Sequence, residues 1–350
     1  MSLALITGSC GLVGSESSIF FENKGFDVIG IDNNSRKFFF GKDGDITWIK
    51  NRLKRSLKRY SHNNTDIRNY AALEKIFKKY KKNIKVIIHA AAQPSHDWAK
   101  NKAFVDFDIN ARGTLNLLEL TKLYCPSTPF IFMSTNKVYG DNPNFLPLVE
   151  KKNRWEIKAN HKFKAGIDET MSIDNCTHSF FGASKAYADL IVQEYGKNVG
   201  LKTSCFRAGC ITGPNHSGAK LHGFLSYLVR ISMQAKKYTL IGYKGKQVRD
   251  NIHSNDLVEC FWEFYKKPCS GEVFNTGGGR FSNCSILEAL NIVENLTEIK
   301  IKKKIIKQNR IGDHIWYVSS MKKFRKYYPN WKQKFTTKRI IKELIDQFSS

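Results

Sequence analysis

The chain has 350 residues, 41% of them hydrophobic and 25% charged, with only 8 Pro; at roughly 150 residues per domain it predicts two domains, or one large α/β unit with a lobe attached. This composition excludes collagen-like, low-complexity and disordered chains, and no apolar run approaches the ~18 to 20 residues that span a bilayer. Fifty-seven Lys and Arg against 31 Asp and Glu leave a net charge of +26, which fits a nucleic-acid partner, a phosphorylated ligand or a lysine-rich surface.

The opening MSLALITGSCG lacks a basic n-region, so neither a secretory nor a transit peptide is expected and the reading is cytoplasmic. Residues 3–7 read as a first strand, 12–24 as a helix and 26–32 as a second strand. Next comes a basic helix in which Ile49, Leu53, Leu57 and Tyr60 recur at helical spacing, with the cations of 50–59 on the other face. The other basic runs, 78–85 and 300–307, are separate patches. With no zinc-finger, RNP or basic-zipper pattern beside them, a solvated surface is expected, not nucleic acid. A short strand ending near residue 66, a helix over 70–82, a strand over 85–91 and a long helix over 109–123 follow. The pattern goes on with a strand at 130–135, a helix at 185–200 and a strand at 202–208.

Strands alternating with helices in this way predict an α/β fold, a Rossmann-type doubly wound parallel sheet. Beyond residue 208 the alternation weakens, as for a smaller α/β C-terminal lobe that binds substrate. The expected division is 1–207, with parts of 245–280 added, for the nucleotide-binding domain and 208–350 for the lobe. The eight cysteines form no C-x-x-C pair and the nine histidines no ligand spacing, so reduced thiols and no metal are expected.

The first turn carries glycines spaced G-x-x-G-x-x-G at Gly8, Gly11 and Gly14, directly after a strand and opening a helix. Such a loop brings its own backbone, here Cys10, Leu12 and Val13, close to a pyrophosphate at a helix N-terminus. Asp32 ends the second strand, eighteen residues past Gly14, where a carboxylate accepts both adenosine ribose hydroxyls and repels a 2′-phosphate. The pattern favours NAD, while Arg36 and Lys37 close behind keep NADP as the alternative.

With DNNSRK (32–37), Asp66-Ile67-Arg68, HAAAQ (89–93), INARGTLNLLE (109–119) and STNKVYGD (134–141) in succession, the chain resembles the extended short-chain dehydrogenase/reductases, the NAD-dependent epimerase/dehydratase family. Through STNKVYGD, residues 166–169, His178-Ser179 and GKQVRD (245–250) it is most similar to the CDP-tyvelose (CDP-paratose) 2-epimerase group within them. The resemblance implies an isomerase of polysaccharide biosynthesis: an NAD-dependent nucleotide-sugar epimerase acting at C2 of a CDP-linked deoxysugar through a keto intermediate, and a homo-oligomer. It places Asp32 and Asn33 on the ribose, Asp66 and Ile67 around the adenine, and Ala90, Ala91, Ala92 and Ser134 along the cofactor groove. Asn110 would fix its helix against the fourth strand, Thr135 would hydrogen-bond the reacting sugar hydroxyl, and Lys185 would hold the nicotinamide ribose. Gln93, Asn136, Lys137, Arg249, Arg310 and Asp313 would meet the substrate, the two arginines at its diphosphate.

Two positions depart from the wider pattern. Related dehydratases and decarboxylases carry acidic residues just before Val-Tyr-Gly, where this chain has Asn136 and Lys137, so epimerase chemistry is favoured over theirs. Four residues before Lys185, where the superfamily's catalytic tyrosine stands, this chain has Phe181, and a phenyl ring carries no exchangeable proton. Three readings stay open: a non-catalytic NAD and sugar-nucleotide binder, another acid/base among His96, His178 and Lys185, or a tyrosine replaced by phenylalanine.

Overall fold

The computed structural model describes residues 2–216, 223–309 and 312–349. The chain divides into two compact units, each assembled from three segments: 1–138, 180–207 and 258–274 in the first, and 139–179, 208–257 and 275–350 in the second. Residues 139–179 therefore group with the second unit and not within a continuous 1–207, and 258–274 is the part of 245–280 that groups with the first.

The first unit is organised around a seven-stranded parallel sheet. Strands β1 (Leu3–Thr7), β2 (Asp27–Ile31), β3 (Tyr60–Asn63), β4 (Ile84–His89) and β5 (Phe130–Thr135) are joined at one edge by Thr203–Ala208 and then Glu272–Thr276. Read from that edge, the order ends β5, β4, β1, β2, β3. β1 pairs in parallel with β2 on one side and β4 on the other, so the chain's winding reverses at β1, where open α/β sheets bind ligands beyond their C-terminal strand ends. All five residues of β1 are buried, as in a strand covered on both faces. The helix after it, α1 (Leu12–Asn23), turns Gly14, Ser15, Ser17 and Ser18 inward; such small side chains let a helix backbone approach its sheet closely. Leu5, Ile29, Phe77, Ile87, Leu117, Phe132 and Val192 belong to the main apolar core of this unit.

Four elements differ from expectation. The basic helix runs Thr47–Ser56, burying Ile49 and Leu53. Tyr60 does not continue it but opens β3, and its hydroxyl lies 3.0 Å from Ser9 Oγ; that strand stops at Asn63, short of residue 66. The helix expected from residue 109 starts as a π turn, Asp108–Arg112, that leads into the α-helix Gly113–Tyr124. The helix expected from Lys185 begins five residues earlier, as Phe180–Lys197.

In the second unit, the strand Val248–His253 pairs antiparallel with Asn283–Ser285 and parallel with Trp316–Tyr317 and Cys210–Thr212. A separate core packs the helices Phe224–Met233, Ile286–Thr297 and Thr337–Ser349 through Leu228, Leu290, Val293, Ile341 and Leu344. Among the described residues no helix is long and apolar enough to cross a membrane, and all eight cysteines are thiols.

Candidate functional site

At the C-terminal ends of β1 and β2 the first unit presents backbone. Gly8 has φ +67°, and a Cβ there would lie 2.7 Å from the Ala91 nitrogen, so only glycine lets the first turn lie against the segment after β4. A Cβ on Gly14 would meet Gly8 O at 2.0 Å, which presses the first turn of α1 onto the loop. No side chain caps that helix end at Gly11, so the N–H groups of its first turn are directed outward, the arrangement that suits an anion. Asp32 is fixed beside them: its carboxylate accepts the N–H of Cys10 at 3.0 Å and that of Asn34 at 2.8 Å, and burial raises its pKa above the usual carboxylate range. Asn33 Nδ2 donates to Asp66 at 3.0 Å, and Asp66 also holds Arg68 at 2.7 Å. Ile67 is buried, and Ala90, Ala91 and Ala92 are half-buried.

Toward β5 the polar groups are locked to one another. Asn110, presented by the π turn, donates to Gln93 O and Asp106 and accepts the Gln93 N–H at 3.0 Å; Asp106 also takes Gln93 Nε2 at 2.8 Å and Ser184 Oγ at 2.6 Å. Burial pushes the Asp106 carboxyl up to about 6. Gln93 is fully buried in this network, so its side chain positions the loop after β4 and is not open to a substrate. Ser134 likewise donates to the buried Asp189, which pairs with Arg207 through Nε at 3.0 Å and Nη2 at 2.7 Å.

Lys185 is buried, its Nζ donating to Met133 O at 2.7 Å and lying 4.1 Å from the Phe132 ring centre. Burial lowers its pKa to about 8. The structure thus seats Lys185 under the end of β5 that carries Thr135, whose hydroxyl accepts the Lys137 N–H at 3.2 Å; Asn136 is buried and Lys137 half-buried beside it. One helical turn before Lys185, the buried Phe181 meets the His96 ring edge-on, with centroids 4.9 Å apart. His96 opens the short helix His96–Asn101, whose N-cap Ser95 accepts the Trp98 N–H. His96, in the first unit, thus brings an imidazole into ring contact with Phe181.

The other predicted residues belong to the second unit. His178 has its ring 3.7 Å from Cys176 Sγ. Arg249 is buried, donates to Val248 O at 2.7 Å and is ion-paired with Asp313; two residues expected to meet the substrate separately hold each other, and the guanidinium charge is already compensated. Arg310 lies outside the described residues.

Comparison with known proteins decides the family. Residues 4–277 match the model described as the NAD dependent epimerase/dehydratase family. The chain belongs to this family. NAD is accordingly the cofactor of this chain, and the glycine turn, the uncapped α1 terminus and the anchored Asp32 fit its pyrophosphate and adenosine ribose. The chain is 30% identical to CDP-paratose 2-epimerase of Salmonella typhi over 99% of both chains, and 26% identical to UDP-glucuronate 4-epimerase of Thermodesulfobacterium geofontis over 99% of this chain and 96% of that one. Among solved structures, UDP-glucose 4-epimerase of Thermus thermophilus, complexed with NAD, superposes with a TM-score of 0.78 at 22% identity over 99% of both chains, a likeness of fold.

The sequence alone does not single out Asp106, the Asp189–Arg207 pair or Trp98. The D-x-x-x-N spacing of Asp106 and Asn110 puts both on one side of a helical turn and is a signal for the first. Nothing local marks Asp189 and Arg207, whose pairing depends on the helix Phe180–Lys197 crossing the strand Thr203–Ala208.

Proposed function

We propose that this chain is an NAD-dependent nucleotide-sugar epimerase that inverts C2 of a CDP-linked deoxysugar, with His96 serving where other members of the superfamily use a tyrosine. The full-length likeness to CDP-paratose 2-epimerase supports the base and the position. The contact between His96 and Phe181 is the observation that carries turnover: it puts an imidazole, a side chain that can take and return a proton, beside the position lacking a phenol. When bound, NAD supplies the reversible oxidation of a ring carbinol. Gly8, Gly11, Gly14 and the backbone of Cys10, Leu12 and Val13 would hold its pyrophosphate; Asp32 and Asn33 would take the ribose hydroxyls, and Asp66 and Ile67 the adenine. Thr135 would hydrogen-bond the reacting sugar hydroxyl and pass its proton to His96. Lys185, near the neutral range through burial, would favour loss of that proton by its charge. Arg249 and Arg310 would meet the diphosphate, the former after Asp313 releases it.

The same Phe181, with Lys185 already satisfied by Met133 O, favours a second reading, a non-catalytic NAD and sugar-nucleotide binder. We also infer a cytoplasmic location, and a homo-oligomer that is supported by an apolar face where Phe104 is 90% and Phe180 55% exposed around a groove of about 390 Å³; Phe104→Asp should lower the sedimenting mass.

Incubation with CDP-, UDP- and GDP-sugars, followed by NMR, tests the reading. Epimer formed by the natural chain, slowed by His96→Ala and not by His178→Ala, is the expected result. Turnover only in Phe181→Tyr, on sugars that the natural chain binds, would establish the non-catalytic reading.

A further inference from the structure

β2 and β4 lie on either side of β1, so anything joining the segment after β2 to the segment after β4 passes over the glycine turn. Such a bridge exists. From Asn34 the chain leaves the sheet as the short helix Ser35–Phe40 and the turn Gly41–Gly44. It returns where Asn34 ties its own base, Nδ2 donating to Asp45 at 2.9 Å and Oδ1 accepting the Ile46 N–H at 3.2 Å. A closed excursion of this kind is a compact surface loop, and Phe39 packs it against the main core. Its aromatic residues land on Trp98, in the helix His96–Asn101 that follows β4: Phe39 meets Trp98 edge-on at 4.8 Å between centroids and Phe38 does so at 5.7 Å. Phe38 remains 69% exposed, which core packing does not explain.

We propose that Phe38, Phe39 and Trp98 form an aromatic strap closed over the dinucleotide groove, which must part for NAD to enter or leave and so holds the cofactor between turnovers. Edge-to-face aromatic contacts bind more than their buried area provides but part without breaking a hydrogen bond, which suits a gate opened rarely. Because His96 and Trp98 share one short helix, a closed strap also holds His96 against Phe181. The proposal rests on NAD binding as read above and says nothing of which sugar is turned over.

The test is the rate of cofactor loss from the full chain, loaded with NADH and chased with excess NAD while NADH fluorescence is followed. Trp98→Ala and the double change Phe38→Ala with Phe39→Ala should each raise the dissociation rate at least tenfold. The association rate should rise or stay unchanged, and Trp98→Phe should retain most of the slow release. A purely structural role predicts instead a slower association and a lowered melting temperature. Unchanged dissociation in variants that melt like the natural chain would overturn the strap and leave the enzyme reading intact. A natural chain freed of bound nucleotide by unfolding and refolding that then takes up neither NADH nor NAD would overturn both.

Discussion

At the ends of β1 and β2 the site is made of backbone: a left-handed Gly8, a helix start that no side chain caps, and a carboxylate steadied by two N–H groups. At the end of β5, Lys185, Ser134 and Asn110, far apart in the chain, are side chains whose polar atoms already have partners. The difference teaches where specificity for a ligand is stored. A groove made of backbone fits the general shape of a dinucleotide and leaves the choice between NAD and NADP to Asp32, and an edge made of interlocked side chains sets where a few reacting atoms sit.

The interlocked end should be the more costly to disturb. Asp189→Ala leaves the Arg207 guanidinium buried without its carboxylate and should cost about 3–5 kcal/mol, read as a lower denaturation midpoint; a loss below about 1 kcal/mol would mean that water reaches the pair. On the backbone end, Gly14→Ala sets a methyl 2.0 Å from Gly8 O. The overpacking should cost about 3 kcal/mol and abolish NADH binding in a fluorescence titration, whereas intact binding would show that the loop relaxes without losing its shape.

A smaller effect is expected at Asp32→Ala, since the loop survives while charge-assisted hydrogen bonds of about 1.5–3 kcal/mol are lost. NAD should bind some ten- to hundredfold more weakly at little change in melting temperature. An unaltered chain that prefers NADP would refute the role given to Asp32. Last is a difference of at most one proton. Burial holds Lys185 at about 8 against 10.5 for the ordinary group, so between those values the unfolded chain binds more protons and stability rises with pH. The buried charge weakens the fold below about pH 8 and is relieved above it. Lys185→Met should flatten this part of the stability profile measured in denaturant at a series of pH values.

The same contrast explains what is legible in the sequence. β1 and β5 can be read to the residue because apolar runs of this length have no helical periodicity, and the glycine turn can be read because spacing alone encodes a backbone shape. The helix bearing Phe181 is read late, from Lys185 onward: Phe-Phe-Gly is weak in helix propensity, and its first turn is supported by packing of Phe181 on His96. Gln93, Ser134 and Arg249 share one feature that the local sequence hides. Their residue types invite a ligand, yet Asp106, Asp189 and Asp313, which occupy them, lie 13, 55 and 64 positions away, and only the fold brings them together.

The first unit's sheet closes late in the chain. Its edge strand Glu272–Thr276 comes from the third of three separate segments and lies beside Thr203–Ala208. While the polypeptide is being made, the N–H and C=O groups of that inner strand have no neighbour on one side until about seventy further residues have emerged. An unpaired edge of this kind is a template for any other extended chain nearby, and here it is the strand Thr203–Ala208, buried in the finished fold, that waits. Yield of folded protein should therefore depend more on the speed of synthesis across this interval than on the final stability of the sheet.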